Sequence, residues 1–256
     1  MDRQVPAANG EQRVRAITVR SAGLDLVKWT AIVTMVADHL RYLWPAADGL
    51  FVIGRLAFPL FCLALAINVG RSDPAMWPSR SAARYLGWLL VFGVLSEGPY
   101  RWLDTGSQTL NVIPTLTLGL LLAWAIHHRQ ALACLLGLSA ALTAALFSDH
   151  LMYGLPGVLL PAAILIARRY GGAGWLLPCA LAVAGNVTNS WLRAHPLQPI
   201  ALVILSTAAM SLPIGLWLAR QERWQVPRVG RWGYAFYPLH LALIAGLQRL
   251  AAALGI

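Results

Sequence analysis

The chain has 256 residues, of which 58% are hydrophobic and only 12% are charged, and its mean hydropathy is +0.62. This composition excludes an ordinary soluble domain and predicts a multi-pass membrane protein. Basic residues outnumber acidic ones by 20 to 10, which we attribute to loops that face anionic lipid rather than to nucleic-acid binding. Cys62, Cys134 and Cys179 lie in separate apolar runs and indicate neither a disulfide framework nor a metal site.

The first 22 residues are basic and contain no apolar stretch. No cleavable signal is apparent, and the apolar run that follows is long enough to cross a bilayer, so we expect it to remain as an uncleaved anchor. The sequence therefore predicts a cytoplasmic tail over residues 1–22 and a single transmembrane domain over residues 23–256.

Apolar runs of roughly 17 to 25 residues, the length that crosses a bilayer core, divide this domain into predicted helices. The nine runs are 24–44, 49–69, 82–103, 111–127, 130–147, 151–168, 173–192, 197–219 and 232–251. The fifth to seventh are the least regular, because their connections are short and prolines interrupt them. We predict an all-α polytopic bundle of about nine spans, within a range of eight to ten.

The distribution of basic residues predicts the orientation of the bundle. The N-terminal segment and the even-numbered connections together carry fifteen basic residues, whereas the other side carries four. The positive-inside rule therefore predicts a cytoplasmic N-terminus, and nine spans then put the C-terminus outside.

Three ionisable residues share one predicted depth. His39, Arg55 and Glu97 each lie five or six residues from the outer end of their span, which corresponds to about 8 to 9 Å at the rise of an α-helix. His240, in the last span, is predicted to lie deeper, at about 16 Å from the outer end. Buried ionisable groups are costly and normally face a bundle interior or water.

Arg55 needs an anionic partner in the membrane, and Asp38 and Glu97 are the two candidates at its depth. One buried structural ion network is as good an interpretation of Arg55 and Glu97 as direct chemistry. For His39 we favour a general base. Asp38 should pair one turn away or on another helix, since adjacent helical residues do not face each other. Arg41 is expected only to snorkel towards the outer interface.

Polar residues on the outer side form the candidate acceptor site. Asn111 and Thr115 open the fourth span, and Asp149 and His150 belong to the outer loop before the sixth. For His150, an ordinary loop histidine is the preferred interpretation. The inner side instead carries arginines that flank several spans, which usually act as topological anchors but are also suited to binding the phosphates of a donor.

Five segments, in order along the chain, carry a family resemblance: LDLVKWTAIVTMVADHL, IGRLAFPLFCLALAINVG, RYLGWLLVFGVLSEGPY, LNVIPTLTLGLL and YAFYPLHLALI. Together they resemble the TraX family, whose namesake is the acetylase of conjugative F-type pilin. The first and last segments also resemble the wider integral-membrane acyltransferase superfamily.

The resemblance implies roles for individual residues. It makes His39 the catalytic histidine, with Asp25 and Lys28 at the inner start of its helix. Tyr234, Tyr237 and His240 match the C-terminal signature, and the paired arginines before the third span fall on Arg80 and Arg84, with a spacing one residue wider than usual. Of these residues, Tyr237, His240, Arg80 and Arg84 are expected, together with Lys28, to bind the donor. It also implies acetyl-CoA as donor and, for the namesake, the amino terminus of a processed pilin as acceptor; no metal is expected.

The predicted function is an acyl-CoA-dependent N-acetyltransferase of the bacterial inner membrane, acting on a pilin-like or other envelope acceptor. His39 would take the proton of the nucleophile, Asp38 or Glu97 would orient it, and Arg55 or Asn111 would stabilise the oxyanion. Two alternatives remain open. One is an O-acetyltransferase of an envelope glycan, and the other is a proton-coupled transporter in which the same buried charges form a relay.

Overall fold

The computed structural model describes residues 21–255, so most of the predicted basic tail lies outside the described residues. Within this range the chain is all-helical and contains no strand. The helices are α1 (Ala22–Leu40), α2 (Asp48–Gly54), α3 (Ala57–Gly70), α4 (Arg80–Leu103), α5 (Val112–His128), α6 (Ala131–Leu146), α7 (Gly154–Tyr170), α8 (Leu176–Val187), α9 (Ser190–Ala194), α10 (Pro199–Ala219) and α11 (Trp232–Leu254). The predicted all-α class is confirmed.

Each predicted span contains one helix or two consecutive helices, but these differ in their capacity to cross a membrane. Three continuous stretches within residues 21–255 are long and apolar enough to do so: Asp48–Gly70, Pro199–Ala219 and Trp232–Leu254. The helices in the remaining segments are shorter or more polar. Large apolar side chains cover the outside of α6, where Leu135, Leu138 and Leu142 are more than half exposed. An apolar exterior of this kind is typical of a membrane protein.

Helix α3 lies at the centre of the bundle. It packs against α1, α5, α7 and α10, and Leu60, Cys62 and Leu63 are completely buried. Gly215 on α10 makes part of this packing possible, because a Cβ at that position would lie within 2.6 Å of Leu60. The hydrophobic packing around α3 therefore provides a rigid support for the segment that precedes it.

That preceding segment is a break between α2 and α3, centred on Arg55. Pro59 lacks the N–H that would bond to the Arg55 carbonyl, and its ring disfavours a regular helix at that carbonyl. The backbone N–H groups of Arg55 and Leu56 instead bond to carbonyls three residues back, at 3.1 and 3.2 Å. The sequence thus places Arg55 at an interruption of the helix in the bundle interior, where the residue is only 7% exposed.

The cavities distinguish the two ends of the bundle. At one end, the first two turns of α1, α4 and α11 bring Lys28, Tyr85 and Tyr234 around a common cavity. At the other, the last turn of α1 and the end of α4 bring His39 and Tyr100 around a second cavity. We call these the Lys28 end and the His39 end.

Candidate functional site: a histidine pair between two cavities

His39, near the end of α1, contacts His240 on α11. The His39 Nδ1 and the His240 Nε2 are 2.8 Å apart, and the ring centroids are separated by 4.9 Å. The prediction that His240 lies deeper than His39 is therefore wrong. The depth of His240 was overestimated because α11 extends beyond the neighbouring helix α4. Arg249 stacks over Trp102, near the end of α4, and α11 continues from there to Leu254.

Arg55 is held beside the histidines by a buried ion pair with Asp38. Its Nη2 donates to Asp38 Oδ1, its Nη1 to Asn186 Oδ1 at 3.3 Å, and its Nε to the Phe51 carbonyl at 3.2 Å. Only 9% of the Arg55 side chain and 16% of the Asp38 side chain are exposed. Gly54 permits this approach, because a Cβ there would collide with Asp38. Of the two carboxylates predicted as partners, the structure pairs Arg55 with Asp38.

Three cavities follow one another along the bundle, and His39 lines two of them. A polar cavity of about 210 Å³ at the His39 end is lined by His39, Asp38 and Arg55. An apolar cavity of about 200 Å³ opens at the Lys28 end. A central cavity of about 40 Å³ lies between them; it shares His39 with the polar cavity and Tyr237 with the apolar one. The central cavity can accommodate only a small group.

Glu97 does not belong to this site, contrary to the prediction of a shared layer. Its Oε1 accepts from Arg101 Nε at 2.7 Å, and its Oε2 accepts from the backbone N–H and side-chain amide of Asn111 at 3.0 and 2.8 Å. The same amide also donates to the Gly93 carbonyl at 2.8 Å. Both carboxylate oxygens of Glu97 and both amide hydrogens of Asn111 are therefore engaged in joining α4 to α5. Neither residue lines the three cavities.

The other residues predicted on the acceptor side also lie away from the cavities. Thr115 is fully buried and donates to the Met152 carbonyl at 2.7 Å, which ties α5 to the loop before α7. Asp149 and His150 are exposed on a single 3-10 turn. The structure therefore gives Thr115 a packing role and leaves Asp149 and His150 at the surface.

The residues predicted on the donor side divide into two groups. Lys28 and Tyr237 line the apolar cavity, as does Tyr234. Lys28 also lies 4.0 Å from Asp25. Arg80 and Arg84, by contrast, are exposed at the start of α4 and line none of the three cavities.

Two site residues were missed from the sequence. Asn186 is buried in α8 and binds Arg55; as an amide in the apolar run of the predicted span 173–192, it offered a signal that was overlooked. Tyr153 lines both the polar and the central cavities and stacks on Phe58, with ring centroids 4.0 Å apart. Its backbone has φ of 65°, a left-handed conformation that is unfavourable for a non-glycine residue and clusters at functional sites.

Arg41 is more than a snorkelling residue. It lines the polar cavity and also an adjoining groove of about 500 Å³. Its guanidinium carbon lies 4.8 Å from the ring centroids of both Tyr42 and Phe51, and its buried Nε has no hydrogen-bond partner among the described residues. The same Nε lies 4.0 Å from Asp38 Oδ1, so Arg41 adds a second positive charge beside the carboxylate that binds Arg55.

Comparison with known proteins identifies the family. A family model described as TraX protein matches residues 23–248, which is most of the chain. The chain belongs to the TraX family. The family resemblance drawn from the sequence segments is therefore confirmed, and the TraX match includes both His39 and His240.

Two curated proteins are similar to this TraX-family chain. The "Probable fimbrial assembly protein FimC, serogroup H1" of Dichelobacter nodosus is 29% identical over 241 residues, covering 87% of this chain and 94% of that protein. "Protein TraX" of Escherichia coli is 31% identical over 96 residues, covering 37% of this chain and 36% of that protein. No solved structure matches the chain.

Proposed function

We propose that this protein is a membrane-embedded acetyltransferase that moves an acetyl group from acetyl-CoA to an acceptor on the opposite side of the membrane. One observation carries the proposal: His39 lines both the polar cavity and the central cavity, and the central cavity shares Tyr237 with the apolar cavity of the Lys28 end. Its Nε2 has no hydrogen-bond partner among the described residues, and His39 is only half-buried. An accessible ring nitrogen between two cavities suits a general base that serves substrates arriving from both sides.

The orientation of the two substrates follows from topology. We propose nine spans with the N-terminus in the cytoplasm, since basic residues are concentrated at the Lys28 end. Acetyl-CoA would then dock its phosphates near Lys28 and its pantetheine arm in the apolar cavity, beside Tyr234 and Tyr237. The acceptor would approach His39 through the polar cavity, past Arg41.

The chemistry is a direct acyl transfer. The lone pair of the acceptor amine forms a C–N bond to the thioester carbonyl carbon, and the C–S bond then breaks to release the CoA thiolate. His39 Nε2 takes the proton lost by the amine and passes it to the thiolate, which leaves as the thiol. Arg55 stabilises the negative charge that develops on the carbonyl oxygen, because its guanidinium is already fixed by Asp38 and Asn186.

The proposed acceptor is the N-terminal amine of a pilin-like subunit. Two features support this choice: one relative is named for fimbrial assembly, and the chain belongs to the family named after TraX. An amine must be neutral to attack a thioester, so a nearby base is useful to it. A hydroxyl of an envelope glycan would need the same base, and only the product distinguishes the two acceptors.

Purified protein in lipid vesicles, supplied with radiolabelled acetyl-CoA and a pilin-like peptide, tests the proposal. We expect label in the peptide with wild-type protein and at least about a hundredfold less with His39→Ala, the loss typical of removing a general base. His195→Ala is the matched control, since His195 is exposed outside the three cavities, and it should retain activity. Equal activity in His39→Ala and wild type would remove His39 from the mechanism. A wild type that neither transfers nor hydrolyses acetyl-CoA would instead favour a transporter.

A second measurement identifies the acceptor. Mass spectrometry should find the acetyl group on the peptide N-terminus, and a peptide with a blocked N-terminus should remain unmodified. Acetylation of isolated envelope glycan, with none on the free peptide, would establish the O-acetyltransferase alternative.

A further inference from the structure

The contact between His39 and His240 determines which nitrogen of His39 carries a proton. His240 is 6% exposed and is fixed on α11, where its ring stacks on Phe236 with centroids 5.1 Å apart. Its Nδ1 lies 2.9 Å from the Phe236 carbonyl oxygen, one turn earlier on the same helix. A carbonyl only accepts hydrogen bonds, so Nδ1 of His240 must be the protonated nitrogen.

The proton positions then follow along the pair. A neutral imidazole protonated on Nδ1 has a lone pair on Nε2, so His240 Nε2 accepts a hydrogen bond. Its partner, 2.8 Å away, is His39 Nδ1, which must therefore donate. Neutral His39 with its proton on Nδ1 has a lone pair on Nε2, the nitrogen without a partner among the described residues. This tautomer is the one that a general base acting through Nε2 requires.

We infer that His240 is a positioning residue that holds His39 in its Nδ1-protonated tautomer through the relay from the Phe236 carbonyl to His240 to His39. This inference deepens the proposed acetyl transfer and rests on it for its kinetic consequence. His240 replaces the carboxylate that the sequence suggested as the orienting group. Asp38 is bonded instead to Arg55, and Glu97 to Arg101 and Asn111.

Three substitutions separate this relay from simple packing. A glutamine side-chain oxygen can occupy the place of Nε2, so His240→Gln keeps an acceptor for His39. An asparagine reaches only to the place of Nδ1, and a phenylalanine keeps the ring but has no acceptor. We expect His240→Asn and His240→Phe to lower kcat about a hundredfold, the scale of general-base catalysis. The KM for acetyl-CoA should change much less, and His240→Gln should recover at least about a tenth of wild-type kcat. Equal kcat losses in all three variants, or none in Asn and Phe, would contradict the relay.

The tautomer itself provides a test that does not depend on activity. Wild-type protein labelled with ¹⁵N-histidine, in lipid vesicles at a pH where histidine is neutral, should give a ¹⁵N spectrum in which His39 is protonated on Nδ1 and not on Nε2; comparison with His39→Gln assigns the signal. A His39 protonated on Nε2 would overturn the inference even if acetyl transfer is observed. The predicted tautomer in a protein without transferase activity would preserve the relay and refute the proposed function alone.

Discussion

Asp38 and Glu97 are carboxylates near the same end of the bundle, each bonded to an arginine, yet their surroundings differ. Asp38 pairs with an arginine in the break between α2 and α3, and both residues of that pair line the polar cavity. Glu97 pairs with Arg101 one turn away on α4 and anchors the first turn of α5. The first pair faces the space where chemistry is proposed, and the second joins two helices. An ion pair with arginine therefore does not by itself indicate a functional site; the position of the pair in the wall of a cavity does.

The largest effect is expected from breaking the Asp38–Arg55 pair. Asp38→Asn leaves the Arg55 charge buried without a counter-charge, which should lower the free energy of unfolding by about 3 to 5 kcal/mol. The double variant Asp38→Asn/Arg55→Met should recover part of that loss, because it removes both charges. It should remain at least about a hundredfold less active, since the donor to the oxyanion is gone. Thermal unfolding in detergent and the transfer assay measure the two quantities. Recovery of activity together with stability would make this pair structural, like that of Glu97.

Glu97→Gln should have the opposite character. It removes the charge that Arg101 and the first turn of α5 share, and we expect it to lower the free energy of unfolding by about 1 to 3 kcal/mol. The kcat of the remaining folded protein should be unchanged, because Glu97 lines none of the three cavities. Glu222→Gln, at an exposed position, is the control and should change neither quantity. A large fall in kcat with normal stability would return Glu97 to the catalytic site.

The sequence predicted the positions of the helices better than it predicted the neighbours of the polar residues. The apolar runs predicted every long helix, because the thickness of a bilayer sets the length of a helix that crosses it. Counting along a helix gives only one coordinate, however, and the direction of a side chain around the axis depends on packing. Glu97 and Arg55 were therefore assigned to one layer, whereas the structure joins them to different partners.

His240 and Asn186 also show that a sequence does not reveal which residues are in contact. Both were visible as polar residues in apolar segments, but their partners lie 201 and 131 residues away along the chain. No local pattern encodes such a contact. The family resemblance correctly marked the segment that contains His240, but it did not indicate that this histidine contacts His39.

The Lys28 end offers a similar contrast between a residue in a cavity and residues outside it. Lys28 lines the apolar cavity and its side chain is 23% exposed, so solvent screens its charge less than that of a fully exposed residue. Lys28→Met should raise the KM for acetyl-CoA about tenfold, the scale of losing a hydrogen bond to a charged group, with a smaller change in kcat. Arg193→Ala, an exposed position near the His39 end, is the charge-matched control. An unchanged KM in Lys28→Met would mean that the donor does not use this cavity.

Arg84→Ala should have the smallest effect. Arg84 is exposed and lines none of the three cavities, so it can assist the donor only through long-range attraction to phosphate. In the Arg84→Ala variant we therefore expect the KM for acetyl-CoA to rise no more than about threefold at low salt. The difference from wild type should disappear at about 1 M salt, where charges more than about 3 Å apart are screened. The larger effect of Lys28→Met should persist there, because Lys28 lines the cavity. A salt-resistant loss in Arg84→Ala that exceeds the loss in Lys28→Met would move the phosphate site to the start of α4, where the superfamily resemblance first indicated it.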